Sequence, residues 1–165
     1  MPSIIPRLFA AGLALPLALT PAGAAPLGDK GCGVAGRPAV LVSVTGLKAG
    51  GGNLRVQAYG PDPATFLQKG RWVRRIDVPI AGGSAAEVCV TLSRAGRFAV
   101  AVRHDANANR KSDWNDGGGF SRNPKVTLLR LKPSFEAVVI TVPQGTVRAD
   151  IVMNYRRGLS IGPLK

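Results

Sequence analysis

From Ala39 onward, apolar and polar positions alternate with a period of two, in short runs broken by glycine and proline. Val40, Val42 and Val44 alternate with Leu41 and Ser43, Leu54, Val56 and Ala58 with Arg55 and Gln57, and Val88, Val90 and Leu92 with Cys89 and Thr91. That period puts each set on its own face of a strand. Apolar runs at 98–102, 126–131, 138–142 and 147–153 bring the expectation to seven strands, with an eighth at 73–80. Turn signals such as Lys48-Ala49-Gly50-Gly51-Gly52-Asn53, Ala81-Gly82-Gly83-Ser84 and Pro143-Gln144-Gly145 separate them. The only helical expectation is one turn within 63–69. Many short strands without an intervening amphipathic helix predict an all-β chain, a single antiparallel β-sandwich of immunoglobulin-like or transthyretin-like type over residues 39–155. Residues 25–38 read as a lead-in to it, and 156–165 as a flexible basic tail.

The first 24 residues follow another rule. Arg7 is a positive start, Leu8 to Leu19 is almost wholly apolar, and Ala22-Gly23-Ala24 has the small residues a signal peptidase accepts. A membrane anchor would need roughly 20 apolar residues, so cleavage before Ala25 is the expectation. Cys32 follows Asp29-Lys30-Gly31, which is not the small-residue context of a lipid-modified start. The mature chain is therefore expected to be periplasmic or secreted, with no transmembrane span after cleavage. In an oxidising compartment, pairing of Cys32 with Cys89 is favoured over two isolated thiols.

Charge narrows the partners. The chain has 22 Lys and Arg against 9 Asp and Glu, a formal charge of +13, and cleavage would remove only Arg7. Such a chain adheres to polyanions, yet no basic patch is interleaved with aromatics and export removes the usual nucleic-acid target. The expected partners are an anionic envelope glycan, lipid headgroups or an acidic protein. The plainer alternative is that the charge serves solubility.

Site-like chemistry is concentrated at 104–116. Taking Asp105 as the first position of a twelve-residue calcium loop puts Asn107 third, Asn109 fifth, Lys111 seventh through its carbonyl, Asp113 ninth and Asp116 twelfth. The sixth position, normally glycine, is Arg110, and the last is the shorter aspartate. A preceding strand replaces the usual flanking helix, and Arg110 and Lys111 repel a cation, so calcium affinity is expected in the weak range of about 0.1–1 mM. The alternative is a turn in which aspartate and asparagine satisfy local backbone donors.

The segment Gly96 to Asp105, then Asn107, Asn109, Asp113, Gly119-Phe120-Ser121-Arg122-Asn123 and Pro133-Ser134-Phe135-Glu136-Ala137, resembles the domain of unknown function (DUF) 2141 family. The similarity spans about 39–155. It implies an exported bacterial β-sandwich with no established activity. Ala108 stands where that family often has glycine between the loop asparagines.

A Ser/His/Asp or Cys/His enzyme would have to use His104, the one histidine, as its base, and Asp105 beside it points to the other face of a strand. A glycosidase-like carboxylate pair would draw on Asp113, Asp116 or Glu136. No nucleophile-elbow pattern is present. Gly117-Gly118-Gly119 lacks the Lys-Ser/Thr ending of a phosphate loop and reads as a hinge. Trp72 reads as cover for a sheet edge, and Trp114, Phe120 and Phe135 as packing that holds the loop down. The functional expectation is a non-enzymatic envelope binding or structural module with a calcium-supported loop. The rival is a hydrolase of an envelope polymer using His104 and nearby aspartates.

Overall fold

A computed structural model describes residues 24–164. The leader expectation lies outside the described residues, apart from Ala24. Among the described residues the fold is all-β, with eleven strands in two sheets. In chain order these are β1 (Leu27–Gly28), β2 (Ala39–Thr45), β3 (Gly52–Tyr59), β4 (Arg74–Ile80), β5 (Ala85–Thr91), β6 (Gly96–Asp105), β7 (Gly117–Phe120), β8 (Val139–Val142), β9 (Thr146–Val152), β10 (Asn154–Arg157) and β11 (Ser160–Gly162). A 3-10 turn, Pro63–Thr65, lies where one helical turn was expected, and a four-residue helix, α1 (Phe135–Val138), precedes β8.

The smaller sheet runs β1-β5-β2-β9, and the larger runs β11-β10-β7-β6-β3-β4, with β8 pairing beside β7 along the long strand β6. The larger sheet is antiparallel throughout. The smaller is mixed, because β1 runs parallel to β5 and β9 parallel to β2, and the all-β sandwich carries more strands than the seven or eight expected. The period-two positions do what their spacing requires. Val40, Val42, Val44, Val88, Val90 and Ile151 of one sheet share a core with Leu54, Val56, Val100 and Val102 of the other.

Three expectations are corrected. Residues 126–131 form no strand. Thr127 and Arg130 exchange backbone hydrogen bonds across a tight turn, which folds the segment back on itself in place of an extended strand. Gly117-Gly118-Gly119 is a central strand rather than a hinge. A Cβ on Gly117 would lie 2.5 Å from the Tyr155 ring, and one on Gly119 2.6 Å from Ile151, so bare backbone is what lets β7 pack there. The tail is ordered as far as Gly162, because β10 and β11 form a hairpin on the sheet edge.

The lead-in is tied down twice. Asp29 accepts bonds from the Thr91 backbone at 2.9 Å and the Thr91 hydroxyl at 2.7 Å, and pairs with Arg74. Cys32 and Cys89 form a disulfide across 57 residues of chain. Closing a loop of that size contributes about 4 kcal/mol in the chain-entropy description.

Candidate functional site

The strand that precedes the acidic loop, β6, sorts its last residues by face. His104 points inward and is fully buried, whereas Arg103 and Asp105 lie on the outer face of the larger sheet. The His104 Nε2 lies 2.8 Å from the Gly51 carbonyl, which only accepts, so that nitrogen carries the proton. Nδ1 then accepts from the Tyr155 hydroxyl at 2.5 Å, and the Tyr155 oxygen accepts from the Lys48 amide at 3.0 Å. Burial pushes the Tyr155 phenol up. Both imidazole nitrogens are thus engaged, with no exposed surface through which to reach a substrate, and no aspartate holds the ring.

The loop itself is densely self-bonded. Asp105 accepts from the backbone amides of Asn109 (3.1 Å) and Arg110 (2.7 Å). Asn107 and Asn109 each donate their side-chain amide to one oxygen of Asp113 at 2.8 Å, while its other oxygen accepts from the Asn115 amide at 2.9 Å. The donors from Asn107, Asn115 and Asn109 hold the exposed Asp113 carboxyl below the usual carboxylate range. The Asn109 side-chain oxygen accepts from the Lys111 amide at 2.8 Å. Ala108 and Arg110 take left-handed φ of 56° and 64°, a conformation that favours glycine, so the sharp turn forms despite the substitutions. Among the described residues, no group of three His, Cys, Asp or Glu side chains is arranged to hold a metal ion.

Asp116 stands apart from this network. Its side chain is 6% exposed, and neither oxygen has a hydrogen-bond partner. Arg103 Nε lies 3.7 Å away, beyond hydrogen-bond reach, and is itself unpaired. Burial pushes the Asp116 carboxyl above its ordinary value, against the pull of the Asp113 backbone and the Arg103 charge.

The register of the larger sheet builds a surface around Arg103. Arg55 on β3 is directly opposite Arg103 on β6, and Asp77 on β4 is opposite Arg55. Asp77 accepts from Arg55 Nε at 2.7 Å and from Arg75 Nε at 2.5 Å. Burial would raise its carboxyl, but these two guanidinium groups outweigh that and hold it low. Arg55, Arg75, Arg103 and Arg110 line a cleft of about 400 Å³ whose carboxylates are Asp77 and Asp105. On the other side of Arg103 is a larger cleft of about 630 Å³, whose apolar wall is Phe120, Val126, Leu128 and Leu131 and whose charged lining, besides Arg103, is Asp113, Asp116 and Arg156. Trp114 stands at its rim, 72% exposed, with the Arg156 guanidinium 3.2 Å from its ring centre. Trp114 therefore does not hold the loop down, whereas Phe120 and Phe135 do pack, both edge-on to Phe66. Trp72 carries Arg75 over its ring at 5.3 Å.

The sequence reading found the loop and missed the arginine face. Arg55 was visible as an outward position on its strand, but only the β3–β6 register brings it to Arg103. No helix among the described residues is long and apolar enough to cross a membrane. No curated protein and no solved structure matches the chain. A family model described as an uncharacterized protein conserved in bacteria matches residues 42–150. That match covers the core strands, the acidic loop and the arginine face together, and the chain belongs to the DUF2141 family.

Proposed function

We propose that this chain is an exported, non-enzymatic binding module that engages anionic groups at the cell envelope through the outer face of its larger sheet. The observation that carries the reading is the convergence of Arg55, Arg75, Arg103 and Arg110 on one cleft. Like charges directly opposite on neighbouring strands destabilise a sheet, by up to about 1 kcal/mol. The Arg55–Arg103 pair is such a contact, and an anion between the two guanidinium groups turns that cost into attraction. Asp77 and Asp105 balance only part of the charge and orient the side chains, leaving terminal guanidinium nitrogens for a phosphate, sulfate or carboxylate. Export is supported by the leader pattern and by the Cys32–Cys89 disulfide, a bond that persists in oxidising compartments.

The test is salt-dependent elution from immobilised dextran sulfate. The Arg55→Gln/Arg75→Gln/Arg110→Gln variant is expected to elute at clearly lower salt than a Lys30→Gln/Lys69→Gln/Lys125→Gln variant, which loses the same charge from exposed positions elsewhere. Equal shifts in the two variants would reduce the interaction to net charge and overturn the reading.

A further inference from the structure

We infer that the ligand of this face is a single-chain amphiphile with an anionic head, its apolar chain lying in the larger cleft and its head among the arginines. The inference rests on the anionic reading above and adds the class of molecule. Arg103 is a shared wall of both clefts, so the cationic and apolar surfaces are continuous across one side chain. The sheet register fixes their order. The row Gly118, Arg103, Arg55, Asp77 runs beside the row Phe120, Ala101, Gln57, Arg75, which grades the platform from apolar at β7 to charged at β4.

Gly118 contributes bare backbone to that platform, with nothing within 4 Å of a notional Cβ, so the floor between Phe120 and Arg103 is open. The apolar wall is not part of the main core. Leu131 is 54% exposed and Leu128 is half-buried, on a segment anchored by the Thr127–Arg130 turn. A cleft of this size suits a small molecule rather than a protein surface. A polyanion without an apolar part would use only the arginine half. An apolar molecule without a head would leave the excess positive charge of the arginine cleft unanswered.

The experiment titrates octyl phosphate, inorganic phosphate and octyl glucoside, below micelle formation, into the unmodified protein by calorimetry and by amide shifts at Gly118 and Phe120. Octyl phosphate is expected to bind about fiftyfold tighter than inorganic phosphate, the gain from shielding roughly three methylenes. It is also expected to bind clearly tighter than octyl glucoside, which has the chain without the charge. In the Leu128→Gln/Leu131→Gln variant its affinity should fall to that of inorganic phosphate, with dextran sulfate elution unchanged. Equal affinity for octyl phosphate and inorganic phosphate would overturn the inference while leaving the anionic reading intact. Octyl glucoside binding as tightly as octyl phosphate would also overturn it. Dextran sulfate elution that ignores the arginine variant would instead remove the reading beneath it.

Discussion

The Tyr155 hydroxyl lies 2.5 Å from Nδ1 of His104, joining the hairpin at the sheet edge to the strand that leads into the acidic loop. The same oxygen accepts from the Lys48 amide at 3.0 Å, so one phenol answers a buried imidazole and a backbone amide on a separate segment. Tyr155→Phe keeps the ring against which Gly117 packs but leaves the imidazole nitrogen and the amide unpaired. The expected loss is about 2 kcal/mol in denaturant unfolding, the scale for stranding buried polar groups. A loss within about 0.5 kcal/mol would mean that water or another group replaces the hydroxyl without cost.

Asp29 links stability to acid. Burial alone would push its carboxyl up, but donors from Arg74 and Thr91 outweigh that and hold it at about 2, down from 3.8. A carboxyl depressed in the folded state stabilises the fold above its unfolded value, and the contribution disappears as pH falls through the folded one. Between about pH 4 and pH 2 the parent should lose about 2 kcal/mol that an Asp29→Asn variant does not lose. Parallel pH profiles for the two proteins would contradict this.

Asp116 has the opposite sign. Its carboxyl is raised by burial and its oxygens are unpaired, so ionisation works against the fold and the penalty grows as pH rises above the ordinary aspartate range. Asp116→Asn should raise stability at neutral pH by about 1 kcal/mol, with the gain fading below about pH 4, where the parent carboxyl takes up its proton. Unfolding series at the two pH values decide it. A destabilised variant at neutral pH would show that the ionised carboxylate is an asset near Arg103.

The strand faces were legible because burial acts residue by residue. Val40, Val42 and Val44 need an apolar neighbour whichever strand supplies it, and they alternate accordingly. What paired with what was not legible. The parallel β2–β9 ladder and the opposition of Arg55 and Arg103 depend on register between distant segments, which period-two patterning leaves free. The apolar run at 126–131 looked like a strand because composition does not reveal that Thr127 and Arg130 close a tight turn within it. Gly117-Gly118-Gly119 looked like a hinge for the converse reason, since the lack of side chains at Gly117 and Gly119 is explained only by Tyr155 and Ile151 lying against them. The acidic loop was found as a cluster, and its internal bonding required coordinates.

That bonding decides what calcium should do. A cation at the loop centre must compete with two backbone amides on Asp105 and with three donors on Asp113. The carbonyls of Asn107 and Asn109 are engaged as well, with the amides of Asn109 and Lys111. The expectation is that chelator-treated protein and protein in about 5 mM calcium, above the weak extracellular range, melt within about 1 °C of each other. The loop's own amides already occupy the oxygens of Asp105 and Asp113, and Arg110 and Lys111 add repulsion. A rise of several degrees that disappears in the Asp105→Asn/Asp113→Asn variant would mean that the loop exchanges its internal bonds for the ion. The same titration also bears on the arginine cleft. Asp105 and the left-handed Arg110 belong to both features, so a calcium-remade loop would move Arg110 and change dextran sulfate elution. With the loop held by its own bonds, elution should not respond to calcium.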